Sequence, residues 1–289
     1  MKRLSRARGM TNRELAEIVK DQKPLILLAD RSVREACRRM WEERSGSVLV
    51  IDGKQHLRGI FTGRDVVRLL AKGKDANCPL VKAMTRDPVT FTANNRAVDA
   101  LRSMADGGFR HVPVTDDGTI KGVVSRGDLK GMEFEEFHWQ DGVLPIGTGG
   151  TIRSLLEMLE GRKPLVLGED QSVRQACRCM RRRKCGCTLV VDSHQRLSGI
   201  FTGRDAVRVL ATVEDVTAAE LNEAATKNPA TLTPQDSAID ALRTMNDGGF
   251  RHLPIVDKGK ILGVISRSDF TGIEIDRLDD EEHLKEVLW

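Results

Sequence analysis

The chain repeats itself at two levels, and this duplication limits the possible folds more than any other feature of the sequence. The segment Gly-Ile-Phe-Thr-Gly-Arg-Asp at 59–65 recurs unchanged at 199–205, and Asp-Gly-Gly-Phe-Arg-His at 106–111 recurs at 247–252. Two segments that recur in the same order and at nearly the same spacing indicate that the chain consists of two homologous halves.

Each half divides again, because weaker copies of the first segment begin at Gly122 and Gly263. We expect repeats one and two to form a first pair within 1–137, and repeats three and four to form a second pair within 138–289. The longest stretch outside the repeats is 133–150, which leaves no room for a separate catalytic domain. The four repeats, numbered in chain order, span 11–73, 78–132, 151–211 and 216–272.

Repeat one predicts the order β-α-β-β-α. A short apolar run at 24–28 is typical of a buried strand, and further apolar runs at 48–51 and 57–61 flank an Asp-Gly pair at 52–53, which is a hairpin signal. A helix is predicted after the first strand, and a second helix follows the third strand.

The first of these helices carries a start signal and an apolar face. Ser32 and Glu35 match a capping box, in which each side chain satisfies an amide at the helix start, and repeat three has Ser172 and Gln175 at the same positions. Behind this box, apolar residues recur with the spacing of one helix face. These residues are Val33, Ala36, Cys37, Met40 and Trp41.

The other repeats follow the same pattern, so the predicted fold class is α/β (α+β) with four β-α-β-β-α units. A small sheet with helices on one face needs a partner on its other face. We therefore expect adjacent repeats to pair sheet to sheet. The two resulting lobes would have approximate twofold symmetry, within one chain or against a second chain in a homodimer.

In all four repeats the third strand ends at a Thr or Ser that is followed three residues later by Asp. The first amides of the next helix have no partner within that helix, and the dipole is positive there, so this turn favours a phosphate. The hydroxyl can donate to a phosphate oxygen, and the carboxylate can accept from a pair of sugar hydroxyls. Alternatively, both side chains only cap their own helix, and the spacing alone does not decide between these readings. The residues are Thr62 with Asp65, Ser125 with Asp128, Thr202 with Asp205, and Ser266 with Asp269.

A second pattern favours ligand binding in repeats two and four. Arg110-His111 and Arg251-His252 precede the second strands of these repeats, and each pair follows two glycines. A guanidinium near the cleft between paired repeats can bind phosphate oxygens through two hydrogen bonds. The alternative is a solvated Arg beside a His at the edge of the core. Repeats one and three have no His at this point, so the two kinds of repeat should differ as ligand sites.

The β-α-β-β-α order, the Gly-hydrophobic-x-Thr/Ser-x-x-Asp motif and the Phe-Arg-His-Val/Leu-Pro run resemble CBS domains, which are named after cystathionine β-synthase. In that family two units form a pair whose clefts bind adenosine-containing ligands such as AMP, ADP, ATP or S-adenosylmethionine. The resemblance therefore implies a non-enzymatic regulatory protein that senses adenine nucleotides and signals by a conformational change to a regulated protein. Some clefts are empty in family members, so four motifs do not imply four ligands.

The resemblance also implies a role for each position of the motif. The four carboxylates would hold ribose, and the Thr and Ser hydroxyls would hold phosphate. The Arg and His side chains at 110–111 and 251–252 would approach the phosphates. Apolar and backbone atoms of the first strands, such as those of Ile26 and Val166, would face the adenine.

Four thiols lie close together in the third repeat, and soft thiolates can bind zinc, copper(I) or iron–sulfur centres. Structural zinc sites more often separate their ligands by two to four residues. One of these thiols falls on the same buried helix face as Cys37. We therefore predict inert or weakly reactive thiols and no metal site, with a metal or redox role as the alternative. The four residues are Cys177, Cys179, Cys185 and Cys187.

The strongest basic run of the chain comprises Arg178 and residues 181–184. Contacts to phosphate backbones would be its functional interpretation. Helix ends also attract cations, and aromatic residues for stacking on single strands are scarce at 4% with no Tyr. Nucleic acid is therefore not the expected partner. The alternative function is a structural or nucleic-acid-binding adaptor with vestigial clefts.

Composition points to a soluble cytoplasmic protein. Hydrophobic residues make up 40% of the chain, the formal net charge is +4, and no apolar run reaches the length of a membrane helix or a secretory signal. Six cysteines in a chain of this size do not indicate a disulfide framework. The segments 133–139 and 279–289 are expected to pack between the lobes or between chains.

Overall fold

The computed structural model of the chain describes residues 13–130, 133, 136, 153–216 and 218–270. Of the two segments expected to pack between lobes or chains, 279–289 and most of 133–139 lie outside these residues. Within the described residues no helix combines the length and the apolar character that crossing a membrane requires.

Repeats one and three have the predicted order of elements, with an additional short helix before the first strand of each. In repeat one the elements are α1 (Leu15–Val19), β1 (Ile26–Leu28), α2 (Val33–Glu42), β2 (Ser47–Ile51), β3 (Leu57–Thr62) and α3 (Gly63–Lys72). In repeat three they are α5 (Leu155–Leu159), β7 (Val166–Gly168), α6 (Val173–Arg183), β8 (Cys187–Val191), β9 (Leu197–Thr202) and α7 (Gly203–Thr212).

Repeats two and four form a helix and a hairpin, and in both the hairpin runs into a short 3-10 turn. Repeat two contains the 3-10 turn Leu80–Lys82, β4 (Thr85–Arg86), α4 (Ala97–Gly107), β5 (His111–Asp116), β6 (Thr119–Ser125) and the 3-10 turn Arg126–Asp128. Repeat four contains α8 (Leu221–Ala224), β10 (Thr226–Lys227), α9 (Ala238–Gly248), β11 (His252–Asp257), β12 (Lys260–Ser266) and the 3-10 turn Arg267–Asp269.

The first strand of repeat two differs from the prediction. Its β4 segment joins the sheet of repeat one, whose order is β1-β2-β3-β4, and only a bridge between Phe91 and Val114 takes the place of a strand beside β5. Gly59 permits this close approach, because a Cβ there would lie 2.6 Å from the carbonyl oxygen of Thr85. Repeats three and four repeat the arrangement with β10 and a bridge between Leu232 and Ile255.

The described chain divides into two compact units. The larger consists of Pro24–Pro88 and Arg153–Asp269, and the smaller contains the other described residues. Within the smaller unit α1 packs against β6, and within the larger unit α5 packs against β12 in the same way. The division into pairs at 1–137 and 138–289 stays a prediction.

Helices of repeats one and three pack on each other in the larger unit, α2 against α7 and α3 against α6. Side chains of both repeats form one continuous hydrophobic core, in which Phe61 and Phe201 are fully buried. The helices α3 and α7 meet at their first residues, and a Cβ on Gly63 would lie 2.9 Å from the carbonyl oxygen of Gly203. The apolar helix faces that the periodicity predicts are therefore buried against one another.

Repeats three and four pack sheet to sheet, as the amphipathic sheets predict. Cys187, Leu189 and Ile200 of β8 and β9 form a small buried cluster, against which Ile261 and Val264 of β12 pack. This contact joins the two repeats of the second predicted pair within the larger unit.

The helix face and capping box predicted for α2 are only partly correct. Trp41 is 42% exposed, because it falls at the rim of the buried stripe. The Ser32 hydroxyl accepts a hydrogen bond from the Glu35 amide at 3.1 Å, as predicted. The Glu35 carboxylate does not complete the predicted box and instead lies 3.7 Å from Arg31 Nη1, and repeat three likewise has the single bond from the Gln175 amide to Ser172.

The turn between β2 and β3 is longer than the Asp-Gly pair predicts. The Asp52 carboxylate accepts hydrogen bonds from the amides of Lys54 and His56 at 2.9 and 3.0 Å. Gln55, and not Gly53, adopts the left-handed conformation with φ of 65°. The side-chain bonds of Asp52 thus stabilise a wider turn than a two-residue hairpin.

Candidate functional site

Each Thr or Ser of the repeated motif is the last residue of its strand, where the sequence places it. Thr62 and Thr202 are the N-cap residues of α3 and α7. Ser125 and Ser266 instead lead into the 3-10 turns Arg126–Asp128 and Arg267–Asp269. The two kinds of repeat therefore present the same motif on different local structures.

The carboxylate of Asp65 is buried and fully engaged. Its Oδ2 accepts hydrogen bonds from the Thr62 amide at 2.8 Å and the Thr62 hydroxyl at 2.9 Å. Its Oδ1 accepts from Arg68 Nη2 at 2.6 Å and from the Thr85 hydroxyl at 3.0 Å. Burial raises the pKa of Asp65 above its ordinary value, against the lowering influence of Arg68 and the Thr62 and Thr85 hydrogen bonds.

Asp205 repeats this arrangement in repeat three. Its Oδ2 accepts from the Thr202 amide at 2.8 Å and the Thr202 hydroxyl at 2.9 Å, and its Oδ1 accepts from the Thr226 hydroxyl at 2.7 Å. Arg208 lies 3.8 Å from Oδ1. In repeats one and three the carboxylates therefore bind their own turn and a neighbouring strand, which is the pattern of the capping interpretation.

The carboxylates of repeats two and four are more open. Asp128 is exposed, and its Oδ2 accepts from the Ser125 amide at 2.7 Å. Its Oδ1 accepts no hydrogen bond from any residue in the described part of the chain. Asp269 is half-buried, with Oδ2 accepting from the Ser266 amide at 2.7 Å and Oδ1 paired with Arg162 Nη1 at 2.7 Å. The four carboxylates thus differ in how much capacity they have left for a ligand.

The structure brings the predicted Arg and His residues to the same edge as Ser and Asp. His111 lies opposite Ser125 in the β5–β6 ladder, and the Arg126 amide donates to the Arg110 carbonyl oxygen at 3.0 Å. In repeat four His252 lies opposite Ser266 in the same register.

Arg251 occupies the place of Arg110, since its carbonyl oxygen accepts from the Arg267 amide at 2.9 Å. In repeats one and three Ser47 and Cys187 face Thr62 and Thr202 in the ladders. The residue opposite the motif hydroxyl is thus His in repeats two and four and Ser or Cys in repeats one and three, and a difference between them as ligand sites stays a prediction.

Within the larger unit His252 also lies against repeat three. A Cβ on Gly186 would be 2.7 Å from His252 Nε2, so the ring occupies space that any other residue at position 186 would fill. His252 is therefore at the boundary between repeats three and four.

Ile26 and Val166, the residues predicted to face adenine, each open a short edge strand. Their partners in the parallel ladders are Leu49 and Leu189. Each of the two residues is 37% exposed, whereas its ladder partner is fully buried. Both apolar surfaces are open to contact.

The four neighbouring thiols do not form a common cluster with metal-binding geometry in the described part of the chain, where no group of three or more potential ligands is found. Cys177 is buried on the core face of α6, which raises the pKa of its thiol to about 12. Cys179 and Cys185 are half-buried at the edge of that core, and Cys187 is buried in β8.

The sequence analysis did not identify the residues outside the motif that form hydrogen bonds with the motif aspartates. Thr85 and Thr226 donate to the buried carboxylates and occupy equivalent places in the two halves, directly after Met84 and Ala225. Arg13 Nη2 and Arg153 Nη2 donate to the carbonyl oxygens of Asp128 and Asp269 at 2.9 and 3.0 Å. A comparison of the halves residue by residue would have drawn attention to each pair.

The repeated β-α-β-β-α fold and the strand-end motif define a tandem-repeat α/β protein. Its four repeats match the CBS domain model at residues 15–72, 80–132, 157–212 and 218–274. The chain therefore belongs to the CBS domain family, which confirms the resemblance seen in the sequence.

Known relatives support the fold over most of the chain. The CBS domain-containing protein CBSCBSPB3 of Arabidopsis thaliana is 29% identical over 266 residues, covering 82% of this chain and 48% of that protein. The chain thus spans about half the length of the curated relatives it matches first. Protein MJ1225 of Methanocaldococcus jannaschii is 25% identical over 203 residues, which cover 69% of this chain and 71% of that protein. Its crystal structure superposes with a TM-score of 0.71 at 18% identity, over 91% of this chain and 99% of that one.

Proposed function

We propose that this chain is a non-enzymatic regulatory protein that binds an adenosine-containing nucleotide, and that repeat two holds the principal site. The ligand would be AMP, ADP, ATP or S-adenosylmethionine, and it would act as a signal and not as a catalytic cofactor. Binding would be transmitted to a regulated protein by a change in the packing of the repeats, which requires the ligand to prefer one arrangement.

The open carboxylate of Asp128 carries this proposal. A ribose presents two adjacent hydroxyl donors, and a carboxylate with one unengaged oxygen at an exposed edge can accept them. The Ser125 hydroxyl accepts from the Gly127 amide at 3.3 Å, which leaves its proton available for a phosphate oxygen. His111 lies opposite Ser125 in the β5–β6 ladder, and Arg110 directly precedes β5. Acceptor, donor and cations for a nucleoside phosphate therefore meet within one repeat.

The same reasoning sets repeats one and three apart. Their Thr hydroxyls already donate to the carboxylates, and both oxygens of Asp65 and Asp205 are engaged within the protein. A ribose would have to displace buried hydrogen bonds there, whose loss costs about 1–3 kcal/mol for each unsatisfied group. Asp65 and Asp205 are thus proposed as ribose ligands only after such a displacement.

A titration of the purified chain with AMP, ADP, ATP and S-adenosylmethionine tests the proposal. We expect at least one ligand to bind, and a ligand at 100 times its Kd to raise stability by about 2.7 kcal/mol. Asp128→Asn should weaken binding by about tenfold or more, because a hydrogen bond to a charged group contributes about 1.5–3 kcal/mol. The matched control is Asp117→Asn on the β5–β6 hairpin, where a left-handed φ of 47° suits Asn. No binding by any of the four ligands would overturn the proposal.

A second candidate function rests on helix α6. Six cations occupy 174–184 without any acidic residue, and none of the six forms an ion pair with a described carboxylate. The equivalent segment of repeat one consists of α2 and its C-cap region, and it contains three acids, Glu35, Glu42 and Glu43. Of these, Glu43 pairs with Arg39 at 2.5 Å. The attraction of cations to a helix end does not account for the loss of all three acids. The six are Arg174, Arg178, Arg181, Arg182, Arg183 and Lys184.

These exposed cations would bind the phosphate backbone of a nucleic acid in the adaptor function. Two of them also donate within the chain, Arg178 Nε to the Ala71 carbonyl oxygen at 3.2 Å and Arg183 Nη1 to the Pro164 carbonyl oxygen at 3.1 Å. Its test is the fluorescence anisotropy of a labelled DNA duplex at two salt concentrations. The double change Arg182→Glu and Arg183→Glu restores the residues found in α2 and should abolish salt-dependent binding. Lys54→Glu with Arg58→Glu, on the exposed β2–β3 hairpin, reverses the same charge and should leave binding unchanged. An absence of binding by the wild-type chain at low salt would exclude this function.

A further inference from the structure

The ion pair between Arg162 and Asp269 occupies the carboxylate that repeat four would offer to a ribose. Arg162 Nη1 lies 2.7 Å from Asp269 Oδ1, and the Ser266 amide donates to Oδ2 at 2.7 Å. The Arg162 side chain is 51% exposed, whereas that of Asp269 is 16% exposed. Both carboxylate oxygens are therefore engaged, although only the arginine is free to move into solvent.

The first half of the chain provides an internal comparison, because Gln22 occupies the position of Arg162. Gln22 Oε1 accepts from the Val123 amide at 3.0 Å, and its Nε2 donates to the Ile18 carbonyl oxygen at 3.3 Å. These bonds hold the side chain on β6 and α1. Asp128, the equivalent of Asp269, consequently has no such cation on its Oδ1 in the described structure.

The contacts that hold the backbone of the two turns are alike. Arg13 and Arg153 donate to the carbonyl oxygens of Asp128 and Asp269 at 2.9 and 3.0 Å, and each carboxylate accepts from the amide three residues before it. The backbone is therefore held in the same way in both repeats. The side-chain contacts differ. Asp269 is paired with Arg162, and the Ser266 hydroxyl contacts the Ser268 hydroxyl at 2.6 Å, whereas the Ser125 hydroxyl accepts from the Gly127 amide at 3.3 Å.

We propose that Arg162 competes with the ligand for Asp269, so that repeat four binds an adenosine ligand more weakly than repeat two. This inference rests on the proposed function. A ribose hydroxyl can donate to Oδ1 only when the guanidinium has swung away. Because the pair is partly exposed, its opening lowers affinity by about two- to fivefold and does not abolish binding. The chain then responds to ligand over a wider concentration range than two equal sites would allow.

The test is calorimetric titration of Arg162→Gln, which places in the second half the residue present in the first. The control is Lys163→Gln, which removes the same charge from the next, exposed residue. Both variants are titrated with AMP and with adenosine, because adenosine has no phosphate with which Arg162 could interact. A second series in the Asp128→Asn background assigns any change to repeat four.

We expect Arg162→Gln to tighten the weaker site by two- to fivefold for both ligands and to leave the tighter site unchanged. In Lys163→Gln the affinity of the weaker site for AMP and for adenosine should change by less than it does in Arg162→Gln. Unchanged adenosine binding in Arg162→Gln would overturn the inference, and weaker AMP binding alone would identify Arg162 as a phosphate ligand instead. If neither the wild-type chain nor the variants bind any adenosine ligand, the proposed function itself fails.

Discussion

Arg34 of α2 donates from Nη1 to the carbonyl oxygen of Val213, just beyond the end of α7, at 2.7 Å. The same guanidinium donates to Leu210 at 3.1 Å and to Glu214 at 3.0 Å. One arginine of repeat one thus satisfies three carbonyl groups at the C-terminal end of a helix in repeat three, where the helix dipole favours a cation.

Replacing Arg34 by Ala should therefore destabilise the larger unit. Hydrogen bonds from a charged donor contribute about 1.5–3 kcal/mol, so we expect Arg34→Ala to lower the free energy of unfolding by an amount in that range. Urea denaturation followed by circular dichroism measures it. Arg38→Ala, on the exposed face of the same helix, should cost less than about 0.5 kcal/mol. Equal losses in the two variants would contradict the assigned role of Arg34.

The buried and open carboxylates should differ in their contribution to stability. Asp65→Ala leaves the Thr62 amide and the Thr85 hydroxyl without their acceptor and should cost about 2–3 kcal/mol. Asp128→Ala removes an exposed cap and should cost about 0.5–1 kcal/mol. Chemical denaturation of the two variants side by side checks this order, and a reversed order would show that Asp65 does not serve as the buried cap.

The raised pKa of Asp65 predicts a particular pH dependence. Between the ordinary pKa and the higher folded value, the folded state holds the proton more firmly, so unfolding becomes easier as pH rises through this interval. The Asp65→Asn variant lacks this titrating carboxyl group, so its stability does not have this pH dependence. The unfolding free energy of the wild type minus that of Asp65→Asn should therefore decrease as the pH rises above about 4. Urea denaturation at a series of pH values measures this difference. A difference that grows with pH would mean that the Arg68 and Thr62 interactions outweigh burial.

The cysteines should react at very different rates. Burial raises the pKa of Cys37 and of Cys177 to about 12, so almost no thiolate is present at either position near neutral pH. Native protein treated with iodoacetamide should be alkylated first at the half-buried Cys78 and Cys179. Peptide mass spectrometry locates the label. Rapid native labelling of Cys37 would show that the shared core of repeats one and three opens readily.

The contact between the first residues of α3 and α7 should not tolerate a methyl group. A Cβ at position 63 would lie 2.9 Å from a backbone oxygen, which cannot move as a flexible side chain can. We expect Gly63→Ala to lower the free energy of unfolding by about 1–3 kcal/mol. Gly53→Ala, where nothing lies within 4 Å of the added atom, is the matched control and should stay within about 0.5 kcal/mol. A Gly63→Ala variant as stable as the control would contradict the close approach of the helices.

The repeat pattern predicted much of the fold because each copy obeys the same local rules. The order of elements in repeats one and three, the strand-end position of Thr62 and Thr202, and the buried face of α2 through Met40 all follow from periodicity and turn residues. The strand β4 could not be assigned in this way. Its two residues pair with the preceding repeat because Gly59 allows it, and such long-range pairing has no local signal.

For the candidate site, the sequence predicted the position of each motif residue at its strand end but not the hydrogen bonds that each one makes. The motif is identical in spacing at Asp65 and Asp128, yet one carboxylate is buried beneath Thr85 and the other is exposed. The difference arises from residues outside the motif, and the spacing of residues within the motif cannot predict these contacts. The Arg162 contact with Asp269 likewise depends on a turn more than a hundred residues earlier in the chain.

The meeting of Gly63 and Gly203 has a consequence for how such a chain behaves in dilute solution. The two surfaces derive from the same duplicated segment, so each is shaped to receive a near copy of itself. Separate halves would have to find each other by diffusion, and their association would depend on concentration. Covalent linkage makes that encounter intramolecular, and the arrangement persists however few molecules are present.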